Sequence, residues 1–168
     1  LDIVEEYGAD TLRTYVLFMG DYGAATPWNE NSVKGCKRFL ERVAGFTDML
    51  SEDKETEKLE TPLHKTIKKV SSDITAIAAL MTLTNDIYNV GKISKEQLHT
   101  FIKLLCPFAP HLCEEMWEVT GGEGFLSLAS WPTYEEAKTV DAQTEIGVQI
   151  NGKLRGTVVI PTGADKEE

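Results

Sequence analysis

Apolar residues recur at helical spacing along most of the chain and then, near its end, at every second position. That change of period constrains the fold more than any other feature, because side chains repeat every 3.6 residues around a helix and every two along a strand. It predicts a mainly α protein, a helical bundle, with a short β hairpin at the C-terminal end. In the hairpin segment Ile146, Val148 and Ile150 alternate with polar residues, Asn151-Gly152 supplies the positive φ values of a type I′ turn, and Leu154, Val158 and Ile160 return. Gly156 is expected at a bulge or a bend.

The helical part divides at its breakers. IVEEYGADTLRTYVLFMG carries a helical pattern interrupted at Gly8, with Asp10 as the cap of a second helix ending near Met19. GDYGAATPWNENS reads as a loop, and Asn31 or Ser32 as the cap of a third helix running to Leu50. On that helix Val33, Cys36, Phe39, Leu40, Val43, Phe46, Thr47 and Leu50 share one half of the wheel. Lys34, Lys37, Arg38, Glu41 and Arg42 share the other, four positive charges against one negative. Leu63, Ile67, Val70, Ile74, Ile77 and Met81 step by four and three, as on a helix packed against others. Pro107 and Pro110 end one helix and start the next, with Glu114 and Glu115 near the positive end of its dipole. About five or six helices result.

With 168 residues and 42% hydrophobic content the chain suffices for one core plus a small appendage. No apolar run approaches a membrane span, and LDIVEEYGAD lacks the features of a signal peptide. Three cysteines, Cys36, Cys106 and Cys113, fit buried reduced thiols and a cytoplasmic home better than a disulfide framework. The net charge of −10 argues against indiscriminate nucleic-acid binding. Much of it sits in EDKETEKLE and the terminal DKEE, which read as solvated linker and tail.

Catalytic signatures do not emerge. His111, Cys113 and Cys106 lack metal-ligand spacing, Glu114 and Glu115 point in different helical directions, and no phosphate loop or nucleophile elbow occurs. Trp28, Trp117 and Trp131 read as core or lid aromatics. From the residues alone the chain is a helical, non-catalytic module with one basic helix; an RNA-binding accessory domain and a helical protein-interaction module without RNA binding both fit.

The order of four motifs then carries a resemblance. YGADTLRTYVLFMG, followed by PWN and VKGCKRFLERV, resembles the segment after the KMSKS loop of leucyl-tRNA synthetases, class I enzymes grouped with those for isoleucine and valine. PFAPHLCEEMWE resembles the motif that closes the helical domain of that whole group. ASWP followed by QINGKLRG is closer to the leucine enzymes than to their relatives, and the bacterial type matches best.

The resemblance implies that residues 1–140 form a helical anticodon-binding-type domain and residues 141–168 the truncated start of a C-terminal domain. It implies a tRNA-binding accessory region of a leucine-tRNA ligase, an enzyme that charges tRNA with leucine at the expense of ATP. The HIGH, KMSKS and editing motifs of that family are absent here, so the region itself is expected to be non-catalytic, with no catalytic residues, no metal ligands and no cofactor. ATP and Mg²⁺ are expected for the longer, monomeric enzyme. The expected partner is leucine tRNA, with no DNA and no membrane. In the family the arginines matching Arg38 and Arg42 lie on the tRNA side; Lys34 and Lys37 are further candidates on the same helix, and Lys153 and Arg155 are secondary phosphate contacts of the hairpin. The family also carries a further short stretch, including Phe-Asn, where this sequence passes from Ile74 straight to Thr75. Residues closed over in the numbering are expected there, which would make the continuous period accidental.

Overall fold

Gly8, at φ 88°, divides the first helical segment into α1 (Asp2–Tyr7) and α2 (Ala9–Phe18). The computed structural model describes residues 2–19, 27–72, 75–141, 143–150 and 153–161. Asp10 does not cap α2. Its carboxylate accepts from the backbone N–H of Leu112 at 2.8 Å and meets Nδ1 of His111 at 2.7 Å, so it closes the N-terminus of α7 (Pro110–Val119). That helix begins with Ala109 and Pro110, neither of which offers a side-chain acceptor, and Asp10 supplies from another helix what the local sequence lacks.

The third helix, α3 (Glu30–Ala44), starts earlier than its composition suggests, because Asn29 accepts from the Ser32 N–H at 3.2 Å and is the cap. It also ends earlier. From Gly45 to Met49 the chain tightens into a 3-10 turn that drives Phe46 into the core, while Leu50 is exposed and pairs with Ile93 as a single parallel bridge. Val33, Cys36, Phe39, Leu40 and Val43 are buried as the apolar stripe requires.

EDKETEKLE is ordered structure, contrary to its reading as a linker. It forms a 3-10 helix, Lys54–Leu59, whose cap Asp53 accepts from the Glu55 N–H. Leu59 and Thr56 are buried, Gln97 donates to the Thr56 carbonyl at 2.8 Å, and Lys92 bridges Asp53 and Glu55 at 2.7 and 3.2 Å. One buried leucine inside a charged run is enough to fold the run onto the core.

The periodic stretch from Leu63 to Met81 belongs to two helices, α4 (Glu60–Ser72) and α5 (Ala76–Val90), packed on each other. The period across their junction carries no single helix; Ile74 itself, and with it the expected discontinuity before Thr75, lies outside the described residues. Gly91 ends α5 at φ 75°, and Ser94 opens α6 (Lys95–Leu105) with a capping box to Gln97. The main core lies among α3 to α7, centred on Phe46, Phe101, Leu80, Leu83 and Ile102. A smaller cluster of Tyr7, Tyr15, Val33 and Cys36 joins α1 and α2 to α3. Seven α helices are present among the described residues, one or two more than the periodicity suggests.

After α7 the chain runs back along α4 as a strap. Glu114 accepts from the N–H groups of Leu126 and Ser127, Trp131 donates to Ser71 Oγ at 2.9 Å, and the Glu135 N–H donates to His64 Nδ1 at 3.0 Å. Lys68 pairs with Glu136, Lys65 with Asp141, and Lys138 with Glu60 and Glu135. Trp28 and Trp131, expected as core or lid, are 51% and 45% exposed; each is instead fixed on a neighbour, Trp28 edge-on to Tyr15 and Trp131 by its indole N–H. Trp117 lies so close to Gly122 that a Cβ there would sit 2.2 Å from its ring.

Strands β1 (Gln143–Ile150) and β2 (Lys153–Pro161) pair antiparallel with Ile150 opposite Lys153. The register shifts between Val148 and Gln149, which face Gly156 and Leu154, so the expected bulge falls beside Gly156. The predicted Asn151-Gly152 turn and the DKEE tail lie outside the described residues.

His99 stacks on Trp117 with ring centroids 4.4 Å apart, and its Nε2 meets Thr120 Oγ1 at 2.9 Å. The Thr120 hydroxyl donates to the Met116 carbonyl, so it accepts from His99. Burial first, then the charges of Lys95 and Lys103, push the His99 pKa below its ordinary value of 6.5. A folded pKa below the unfolded one means that this contribution is complete above the unfolded value and is lost as pH falls from there through the folded one. His99→Phe is expected to make the melting temperature fall less steeply than in the wild type below about pH 6.5. An identical slope in both proteins would remove His99 as its source.

Candidate nucleic-acid interface

The basic stripe of α3 is one row in sequence but two sites in space. Lys34 is exposed and pairs with Glu30 at 2.8 Å, and Glu30 also accepts from the Tyr7 hydroxyl at 3.2 Å. Lys34 first, and Tyr7 after it, hold the Glu30 carboxyl below its usual range, while Glu30 raises Lys34. Lys37 donates to the Glu6 carbonyl at 3.3 Å and lies 5.6 Å from the centroid of the Tyr7 ring. Lys37 thus joins α3 to α1 directly, and Lys34 holds within α3 the Glu30 carboxylate that reaches Tyr7 of α1.

Arg38 and Arg42, one turn apart, open instead onto a groove between α3 and α5. The groove has a volume of about 380 Å³ and is lined by Gly35, Arg38, Phe39 and Arg42 from α3 and by Met81 and Asn85 from α5. Both arginines are exposed. Arg42 donates to Asn85 Oδ1 at 2.8 Å and its guanidinium lies 4.5 Å from the centroid of the Tyr88 ring. Arg38 makes no hydrogen bond or ion pair among the described residues.

In the groove between α3 and α5 the titratable lining groups are both guanidinium, with no carboxylate among the described residues that line it. A second groove, of about 320 Å³, is also lined by cations without a carboxylate, but there Arg13 donates to the Pro107 carbonyl at 2.9 Å and Lys103 lies 5.5 Å from the centroid of the Trp117 ring. A larger cavity of about 620 Å³ beside α7 is lined by Glu114, Glu115 and Glu118 with His111, Trp117 and Phe125, and its charge disfavours a polyanion. A third groove holds Lys65 and Lys69 together with Asp86. The lysines Lys65 and Lys68 of α4 are occupied by the acids of the strap.

Of the six candidate residues, the structure brings together Arg38 and Arg42, and turns Lys34 and Lys37 towards α1. Lys153 stands on β2 opposite Ile150, and Arg155 stands between Leu154 and Gly156 at the register shift. Asn85, Met81 and Tyr88 escape a reading of the sequence. Asn85 and Tyr88 are three apart on one helix face, which is a legible signal, but nothing local ties that face to α3.

Cys36, Cys106 and Cys113 are free and buried; burial pushes the Cys36 thiol up to about 11 and Cys113 well above its ordinary value. Among the described residues no group of three His, Cys, Asp or Glu side chains converges on a metal position. No helix among them is long and apolar enough to cross a membrane.

The sequence profile described as the anticodon-binding domain of tRNA ligase matches residues 56–168. A leucine–tRNA ligase of Alkaliphilus oremlandii is 48% identical over 166 residues, which cover 95% of this chain and 21% of that protein. Those of Sorangium cellulosum and Bdellovibrio bacteriovorus are 43% and 40% identical, covering 99% of this chain and 20% and 22% of theirs. The chain therefore spans about a fifth of the length of these relatives. The crystal structure of the ternary complex of Agrobacterium radiobacter K84 agnB2 LeuRS-tRNA-LeuAMS superposes with a TM-score of 0.78 at 33% identity, over 99% of this chain and 24% of that one.

Proposed function

Because the chain belongs to the family of anticodon-binding domains of tRNA ligases, we propose that it is the region of a leucine–tRNA ligase that holds the body of leucine tRNA while chemistry proceeds elsewhere. The observation that carries this reading is the acid-free arginine groove between α3 and α5. Two guanidinium groups one helical turn apart reach neighbouring phosphates, and contacts to the backbone position RNA without reading its sequence. The solved relative that superposes on the chain is a complex containing tRNA, which supports the same reading.

In this proposal residues up to 140 form the RNA-holding helical body, and the hairpin from 141 is the root of a further domain, with Lys153 and Arg155 as secondary phosphate contacts. Lys34 and Lys37 serve mainly to fasten α1, through Glu30 and the Glu6 carbonyl, so that α3 presents its arginines outward. The ligase works as a monomer in the cytoplasm, a compartment that suits three free thiols. ATP and Mg²⁺ belong to the leucylation reaction, and no residue described here is assigned to them.

A gel shift tests the reading. This chain is expected to retard leucine tRNA at low salt, to lose the complex steeply as salt rises, and to leave a DNA duplex of equal charge unshifted. Binding is expected to be weak, because a net charge of −10 opposes any polyanion at long range. No retardation at the lowest salt would overturn the reading in favour of a protein-interaction module.

A further inference from the structure

The guanidinium of Arg42 is held more closely than an exposed arginine needs to be. One N–H donates to Asn85 Oδ1 at 2.8 Å, and the plane lies over Tyr88, 4.5 Å from its centroid. Tyr88 is in turn fixed from two sides. Its hydroxyl donates at 2.9 Å to the carbonyl of Arg42, in the last turn of α3. Its ring leans on Phe46, which is fully buried, with centroids 5.9 Å apart. Gly45 makes room for this arrangement: a Cβ at that position would stand 2.9 Å from the Tyr88 hydroxyl.

From these contacts we propose that Asn85 and Tyr88 are positioning residues that hold Arg42 as a preformed clamp for an RNA phosphate, an inference that rests on the tRNA reading of the groove. Arginine has about 2 kcal/mol of rotamer entropy to lose when it binds. Fixing the side chain beforehand removes most of that cost from the binding step. The remaining N–H donors of the fork stay open to the groove, where Arg38 stands one turn away. The chemistry at position 85 fits the same purpose. An amide oxygen orients the guanidinium without cancelling its charge, whereas a carboxylate there would hold it equally well and neutralise it against phosphate.

The experiment measures the tRNA affinity of the leucine–tRNA ligase that contains this sequence, at two salt concentrations. Tyr88→Leu and Tyr88→Trp are each made in the wild type and on top of Arg42→Ala, and Asn85→Asp in the wild type. Tyr88→Leu is expected to weaken binding about threefold to tenfold, the range of one oriented cation–π contact, while Tyr88→Trp keeps affinity near wild type. Asn85→Asp is expected to weaken it at least as much, with an unchanged melting temperature. Neither Tyr88 variant should weaken the Arg42→Ala variant further, because the coupling then has no partner, whereas Asn85→Asp is read in the wild-type background, where its carboxylate meets Arg42. Equal losses from Tyr88→Leu in both backgrounds, or no loss from Asn85→Asp in the wild type, would overturn the clamp. Should Tyr88→Leu fail to fold, Asn85→Asp decides the matter alone. If Arg42→Ala with Arg38→Ala leaves affinity unchanged, it is the tRNA reading of the groove that falls.

Discussion

On the proposed reading, replacing Arg38 and Arg42 together by alanine is expected to weaken tRNA binding by the full-length ligase by roughly two to four orders of magnitude, since each charge-assisted hydrogen bond to phosphate contributes about 1.5 to 3 kcal/mol. Leucine-dependent pyrophosphate exchange should stay near the wild-type rate, because the groove belongs to the helical body and not to the adenylating site. The slope of log affinity against log salt should fall by about one for each phosphate that the protein no longer neutralises. Lys34→Ala provides the contrast. That lysine is paired with Glu30, so removing it should change affinity much less. Equal losses in tRNA binding and in leucine activation would instead make the arginines structural.

Truncating Phe46 to alanine is expected to cost about 3 to 5 kcal/mol of stability, a large share of the 5 to 15 that a domain typically has. Phe46 is fully buried and packs edge-on against Phe101 with centroids 5.2 Å apart, so the cavity opens in the centre of the main core. At about 2 to 4 °C per kcal/mol for a chain of this size, the melting temperature should drop by roughly 10 °C. The same residue backs Tyr88, so tRNA affinity measured well below the melting point should fall as well, whereas Leu98→Ala, equally buried, should lower stability alone. A melting temperature within about 3 °C of wild type would mean that the neighbours collapse into the space.

Several elements of the fold were legible because their causes are local. The apolar stripe Val33, Cys36, Phe39, Leu40 and Val43 is buried as its spacing requires, and Gly8 and Pro110 break or bound helices through their own backbone restrictions. The capping box of Ser94 and Gln97, a short-range pattern too, came to light only in the structure. The misreadings have a common origin in contacts between distant segments. Asp10 looks like the cap of its own helix and closes another one a hundred residues away. EDKETEKLE looks solvated until Leu59 finds the core. The continuous period from Leu63 to Met81 conceals two helices, because both happen to bury the same kind of face.

For the candidate site the division is sharper. The residues of α3 determined by themselves that a helix would form there, which half of it would be buried, and that four cations would stand on the other half, since helical periodicity and amphipathicity are properties of a single segment. Only the tertiary structure decided what each of those cations meets. Lys34 and Lys37 are taken up by Glu30 and the Glu6 carbonyl, while Arg38 and Arg42 face a groove whose other wall, with Asn85 and Tyr88, comes from α5 more than forty positions along the chain. Charge at a surface depends on every group within a few ångströms of it, and those neighbours are chosen by packing, which no window of the sequence contains.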